Sequence, residues 1–340
     1  MKSSQYPLWD NRKSLPKLSP RYVVMLMLLT VIGSVISALN IGGMLIISLA
    51  GATFGLLLCT AGSLLPFATV PVAAALAYIL SASPLLTACA LLYVPIGIAV
   101  AFCIFTEKRL SSALAVVTVV TCIATGAVFA VSVLRMYPGD YLERFKTFGS
   151  DFSDLLNSVF SSVQLPSVNG EAGYLSEEDI QLLISGVVMV IPAVSVITCQ
   201  VLAYITIRCV KLGAKYIRME NILFGPGYKI TIKLPTAILY LAASVLAFLS
   251  TKASVLAYSA INISYIMMPV CCAAGYNMLL GKYGLVRRLF PTLSKGTLTI
   301  IVVILLLLSP LVFAEVLSLY SAVGVLVAAI KRKLSENRNK

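Results

Sequence analysis

Five polar side chains stand inside or at the edges of long apolar runs in this 340-residue sequence: Asn40, Gln200, Asn262, Asn277 and Glu315. Polar groups are costly to bury in a bilayer, so each must bond a neighbouring helix or meet a ligand or ion. The carboxamides ordinarily bridge helices, and in that setting they are also candidate ligand contacts. Glu315 is an acid within the final apolar block, solvated or buried according to how the chain turns around it. Other chemistry is poorly supplied. There is no histidine, and the eight cysteines (Cys59, Cys89, Cys103, Cys122, Cys199, Cys209, Cys271 and Cys272) lie in or beside apolar runs without a CxxC spacing. Zinc sites, histidine-ligated haem and Ser–His or Cys–His nucleophiles are therefore not expected. Walker A, GxGxxG, HExxH and GxSxG patterns are missing as well. The expectation is a chain that is not an enzyme, with no catalytic residue, metal set or cofactor. If it moves a substrate, the energy comes from an ion gradient or a separate ATPase.

Membrane spans must hold these groups in place. The chain is 59% hydrophobic and 11% charged, with a mean hydropathy of +0.97. A soluble domain carries about 25% charged residues, and a chain with so few could not cover a water-facing surface. The apolar blocks approach the roughly 20 residues that cross a bilayer core. Spans are read at about 22–41, 44–65, 67–82, 85–105, 110–135, 181–207, 235–251, 254–280, 297–313 and 315–330. The fold class is all-α, a polytopic transmembrane helical bundle of about ten spans. It divides into a cytoplasmic tail (1–21), a first bundle (22–135), an extracytoplasmic segment (136–180), a second bundle (181–330) and a basic cytoplasmic tail (331–340). The 67–82 block begins between Pro66 and Pro71 and also reads as a broken or re-entrant piece. Pro95, Pro192, Pro269 and Pro310 predict kinks. Gly51 and Gly55 form a GxxxG, and Ala73, Ala74 and Ala77 a similar small face, both suited to close helix approach.

Charge sets the orientation. The net charge is +13, which in this setting reflects basic cytoplasmic loops and not nucleic-acid binding. Basic residues gather in the N-terminal tail, at Lys108 and Arg109, in the 208–233 and 281–296 connections and in the C-terminal tail. Of the 26 Lys and Arg residues, this leaves Arg135, Arg144, Lys146 and Lys252 for the other side. Ten crossings put all five groups on the cytoplasmic side, with both termini; nine would split them. By that parity 297–330 is a hairpin with its turn near Pro310 and Glu315. One kinked helix over the same residues would run about 51 Å against a core of roughly 30 Å. The first 21 residues are polar and contain Pro, and no cleavable leader is read there.

Two charged segments flank the bundles. In 136–180, Tyr141, Phe145, Phe148, Phe152, Leu155, Val159 and Val163 recur at steps of three and four, with Asp151, Asp154 and Asn157 off that stripe. That spacing predicts an amphipathic helix resting on the outer end of the bundle, with 140–163 a candidate lid over that end through Phe145, Phe148 and Phe152. Its polar face lacks the Lys/Arg richness of surface-binding peptides. Ser176, with Asp179 three residues on, reads as the N-cap of the sixth span. On the inner side, Arg208, Lys211, Lys215 and Arg218 share a helical face suited to anionic lipid or to a docking partner.

The order of features resembles the YybS-like family of bacterial predicted membrane proteins. The resemblance is carried by Gly51-Ala52-Thr53-Phe54-Gly55, the Pro-bounded helix from Pro66 to Ala82, the basic turn Glu107-Lys108-Arg109, Leu234-Pro235, Asn262 and the Pro-containing block before the basic tail. That family is distantly similar to the S components of energy-coupling-factor transporters. The resemblance implies a small-molecule-binding membrane subunit in a bacterial cell membrane, working with other membrane subunits and a separate ATPase. The alternative is a structural or scaffolding membrane protein in envelope assembly, division or sporulation.

Overall fold

A computed structural model of the chain describes residues 18–39, 43–61, 64–106, 108–162, 164–165, 173–174, 176–217, 230–249, 255–279 and 294–338. Asn40, Glu107, Val163, Arg218 and residues 281–293 lie outside these residues. Among the described residues the chain is helical, apart from a two-residue antiparallel pairing of β1 (Gln164–Leu165) with β2 (Gly173–Tyr174). Among the described residues, seven helical stretches are long and apolar enough to cross a membrane. Two shorter apolar ones, Leu65–Ser81 and Leu234–Leu249, accompany them.

The chain packs as two units, the first comprising residues 1–162 and 198–226. It contains α1 (Pro20–Ala38), α2 (Gly43–Thr60), α3 (Thr69–Ser81), α4 (Pro84–Ala90), α5 (Tyr93–Phe105), α6 (Leu110–Met136), α7 (Tyr141–Ser161) and the second half of α8 (Glu177–Tyr216). Its centre is α2, and small residues explain why. A Cβ added to Gly51 would lie 2.7 Å from Ile96, and one on Gly97 would lie 2.6 Å from Phe54 and 3.0 Å from the Gly51 carbonyl oxygen. The GxxxG face is thus occupied from within the chain, by α5. Phe54 then meets Tyr93 and Phe67 edge-on at 5.2 and 5.7 Å. Thr30 and Thr53 share a 2.8 Å hydrogen bond between α1 and α2, and the Ser34 hydroxyl donates to the Ala90 carbonyl at 3.0 Å. Pro95 has no N–H for the Leu91 carbonyl, and the 85–105 block breaks there into α4 and α5. At 13 residues α3 spans about 20 Å, short of the roughly 30 Å core; a 3-10 turn, Leu65–Ala68, precedes it.

The second unit comprises residues 163–197 and 227–340, with the first half of α8, α9 (Leu234–Leu249), α10 (Val255–Leu279), α11 (Lys295–Leu308) and α12 (Pro310–Arg338). Its core is the α10–α12 contact. A Cβ on Gly275 would collide with the Leu317 backbone, so the two helices approach at van der Waals distance. Across that seam the hydroxyls of Ser318 and Ser321 donate to the carbonyls of Met268 and Cys271 at 2.9 and 2.8 Å. Tyr240, Cys271, Ala274 and Ala322 close the cluster. Serines and glycine suit such a seam because lipid offers no hydrophobic drive for helix association.

The end of the chain is two helices divided at a single residue. The break falls at Ser309, which has φ −145° and ψ 74°, and Pro310 then opens α12 at the first helical position, where it lacks no needed donor. Helix α12 runs without interruption past Glu315 to Arg338. Glu315 therefore belongs to the second turn of a helix and not to the break. Its side chain is exposed.

Candidate functional site

In the second unit Asn262 meets a break in α8. Pro192 carries no N–H, so the Val188 carbonyl has no α-helical donor, and the ring pushes the next rung apart. That rung would join Ala193 N–H to the Met189 carbonyl. Asn262 of α10 fills it instead. The Ala193 N–H donates to Asn262 Oδ1 at 3.0 Å, and Asn262 Nδ2 donates to the Met189 carbonyl at 2.9 Å. The second Nδ2 proton goes to the Tyr258 carbonyl of its own helix at 2.9 Å. A carboxamide presents a donor and an acceptor side by side, as the backbone does, and can stand in for one residue pair of a helix.

Beside this splint lies an open-sided cleft of about 540 Å³, lined by Gln181, Ile184, Ser185, Val188, Met189 and Pro192 of α8 and by Tyr258 and Asn262 of α10. Ligand sites typically occupy about 300–1,000 Å³ with apolar walls and a few placed polar groups. The α8 lining residues recur at steps of three and four, so one helix face supplies them. The Ser176–Asp179 cap opens that helix as the sequence predicts: the Asp179 N–H donates to Ser176 Oγ at 3.2 Å, and the Ser176 hydroxyl donates to Asp179 Oδ2 at 2.6 Å.

The other expected site residues lie elsewhere. Asn277 donates to the Ile230 carbonyl at 3.1 Å and ties α10 to the segment entering α9. Gln200 is half-buried in the part of α8 that belongs to the first unit. Glu315 is absent from the cleft lining. Gln181, Ser185 and Tyr258 were not singled out from sequence. Their signal was available only as the 181, 185, 188, 192 stripe around a proline.

The amphipathic segment forms α7, capped by Asp140: the Glu143 N–H donates to Asp140 Oδ1 at 2.9 Å, and the Asp140 N–H to Glu143 Oε2 at 3.4 Å. Phe148 packs edge-on against Phe129 of α6 at 5.2 Å and Tyr137 at 6.2 Å, with Phe152 stacked beside it. Arg144 donates to the carbonyls of Gly139 and Leu134, pinning the turn. No side chain of α7 is buried, and Phe145 remains 40% exposed. The Tyr137 hydroxyl bonds Asp151, and that carboxylate raises the phenol pKa above its ordinary value.

On the C-terminal half of α8, Ile207, Val210 and Ala214 are buried in the first unit, and a Cβ on Gly213 would lie 2.7 Å from Leu56. Arg208 and Lys215 are exposed and Lys211 is half-buried. Arg208 lies over the Tyr204 ring at 5.0 Å and donates to its hydroxyl oxygen from Nε at 2.8 Å. Comparisons with protein-family models, with curated proteins and with solved structures find no match for this chain.

Proposed function

We propose that this chain is a small-molecule-binding membrane subunit, YybS-like and akin to the S components of energy-coupling-factor transporters, which relies on partner subunits to move what it binds. The observation that carries the reading is the α8–α10 cleft, where four polar side chains interrupt an apolar wall beside a proline break. Ten crossings with both termini cytoplasmic fit the distribution of Lys and Arg, and Arg208, Lys211 and Lys215 then lie where a cytoplasmic partner or anionic lipid is met. The chain supplies recognition and carries out no reaction of its own. Native mass spectrometry of gently purified protein tests this. A retained small molecule, lost on substituting the cleft, and a co-purifying ATPase are the expected result; a ligand-free, partner-free chain would refute it.

A second reading draws on α7. Its apolar stripe is largely uncovered, with Tyr141 at 73% and Leu155 at 59% exposure. A helix of that kind on the outer side also suits a scaffold for envelope assembly, in which α7 docks another protein. Co-purification of wall, division or sporulation proteins that depends on Phe145 and Leu155 would favour it.

A further inference from the structure

We infer that the cleft takes a hydrogen-bond-donating organic cation, a protonated amine on an apolar body. This rests on the cleft being a binding site and names the class of its ligand. Two of the four polar side chains lining it, Asn262 and Ser185, have their protons committed elsewhere. Both Asn262 amide protons are held, by the carbonyls of Met189 and Tyr258. The Ser185 hydroxyl donates to the Leu182 carbonyl at 2.8 Å, which leaves its lone pairs on offer. The Val188 carbonyl has lost its helical donor to Pro192. Such a carbonyl needs a partner in an apolar setting. Gln181 and Tyr258 suit either role. No lysine or arginine lines the space.

Charge one helical turn from the lining points the same way. Glu177 and Glu178 continue the Gln181–Ser185–Val188 stripe by one turn, and both are exposed. The N-terminus of α8 by itself favours anions through roughly half a positive charge. Three carboxylates in the first turn, Glu177, Glu178 and Asp179, outweigh it. An anion would meet these carboxylates one helical turn from the lining and no cationic side chain along it, whereas an ammonium group has protons for the Ser185 and Val188 oxygens and can also donate to Gln181 and Tyr258.

Matched six-carbon compounds separate the possibilities: hexylammonium, 1-hexanol and hexanoate, titrated against the full chain in nanodiscs of zwitterionic lipid and followed by saturation-transfer NMR. Hexylammonium should bind about tenfold more tightly than hexanoate, with hexanol between. Pro192→Ala returns an N–H to the Val188 carbonyl and should shrink that preference, as should Ser185→Ala, which leaves the backbone alone and decides the matter if the first variant does not fold. Equal binding of all three, a preference for hexanoate, or a preference untouched by both variants would overturn the inference. A retained anionic ligand would sink the cation class and leave the binding reading standing. No binding by any of the three compounds, together with no retained ligand, would remove both.

Discussion

At Asn262 one carboxamide completes a helix to which it does not belong. Replacing it with leucine keeps the volume and strands the Met189 carbonyl and Ala193 N–H, so Asn262→Leu should lower stability by about 1–3 kcal/mol. Asn277→Leu breaks one bond, to Ile230, and should cost less, about 0.5–1.5 kcal/mol. Reversible unfolding in mixed micelles would rank the two, and an equal loss would show that the bridged rung adds nothing. Gly275→Ala makes a contrasting case, because the added methyl meets the Leu317 backbone, which cannot swing aside. Overpacking of this kind costs about 1–3 kcal/mol. The same unfolding assay should place Gly275→Ala below wild type, and it would miss that outcome only if α12 can shift outward freely.

Among the elements, α7 responds to two separable interactions. Phe148 is its docked ring, so Phe148→Ser should strip hydrogen-exchange protection from residues 141–161, while Phe145→Ser, altering a side chain already 40% exposed, should do much less. Equal effects would mean that the stripe as a whole holds the helix. The Tyr137–Asp151 bond adds a pH dependence. Because the folded state raises the phenol pKa, its contribution is complete below the ordinary tyrosine value of about 10 and disappears as pH climbs through the raised one. Protection of α7 should therefore fall in that alkaline range, and Tyr137→Phe should remove the dependence. The α7 helix and its periodicity were legible in the sequence because seven apolar residues repeat at helical spacing beside Asp and Glu. So was the N-cap at Ser176. The splint was not. Pro192 announces a broken rung, but nothing in the order of residues says that Asn262, 69 positions beyond Ala193, is what repairs it. The break beside Pro310 was legible from the proline itself, and Glu315 falls five residues into the helix that follows it.

On the scale of the whole molecule, topology is the quantity to measure. In a cysteine-free background, single cysteines replacing Ser150, Asn221 and Glu336 should react from outside, inside and inside respectively with an impermeant maleimide. An externally reactive position 336 would reduce the crossings to an odd number and separate the tail from the other basic groups. The basic face on α8 has its own test. Arg208→Gln, Lys211→Gln, Lys215→Gln and Arg218→Gln together should lower insertion fidelity in anionic membranes. Clean loss of one co-purifying protein from a stable variant would instead identify a docking surface. Two units of unequal character, one knit by glycine contacts around α2 and one by serine bonds along α12, also predict separate thermal transitions for core variants such as Gly97→Ala and Gly275→Ala.

The repair at Pro192 also has a history in time. Ribosomes extend chains at about 5–20 residues per second, so α8 leaves the exit tunnel several seconds before the residue that mends it. For that interval the nascent helix carries an open carbonyl and an open N–H within the insertion machinery. A lateral gate, a membrane chaperone or a quality-control protease meets α8 in that unfinished form, and Asn262→Leu would leave it so for good. Turnover of that variant should then be governed by events at synthesis, with pulse-labelled chains lost early and the survivors long-lived.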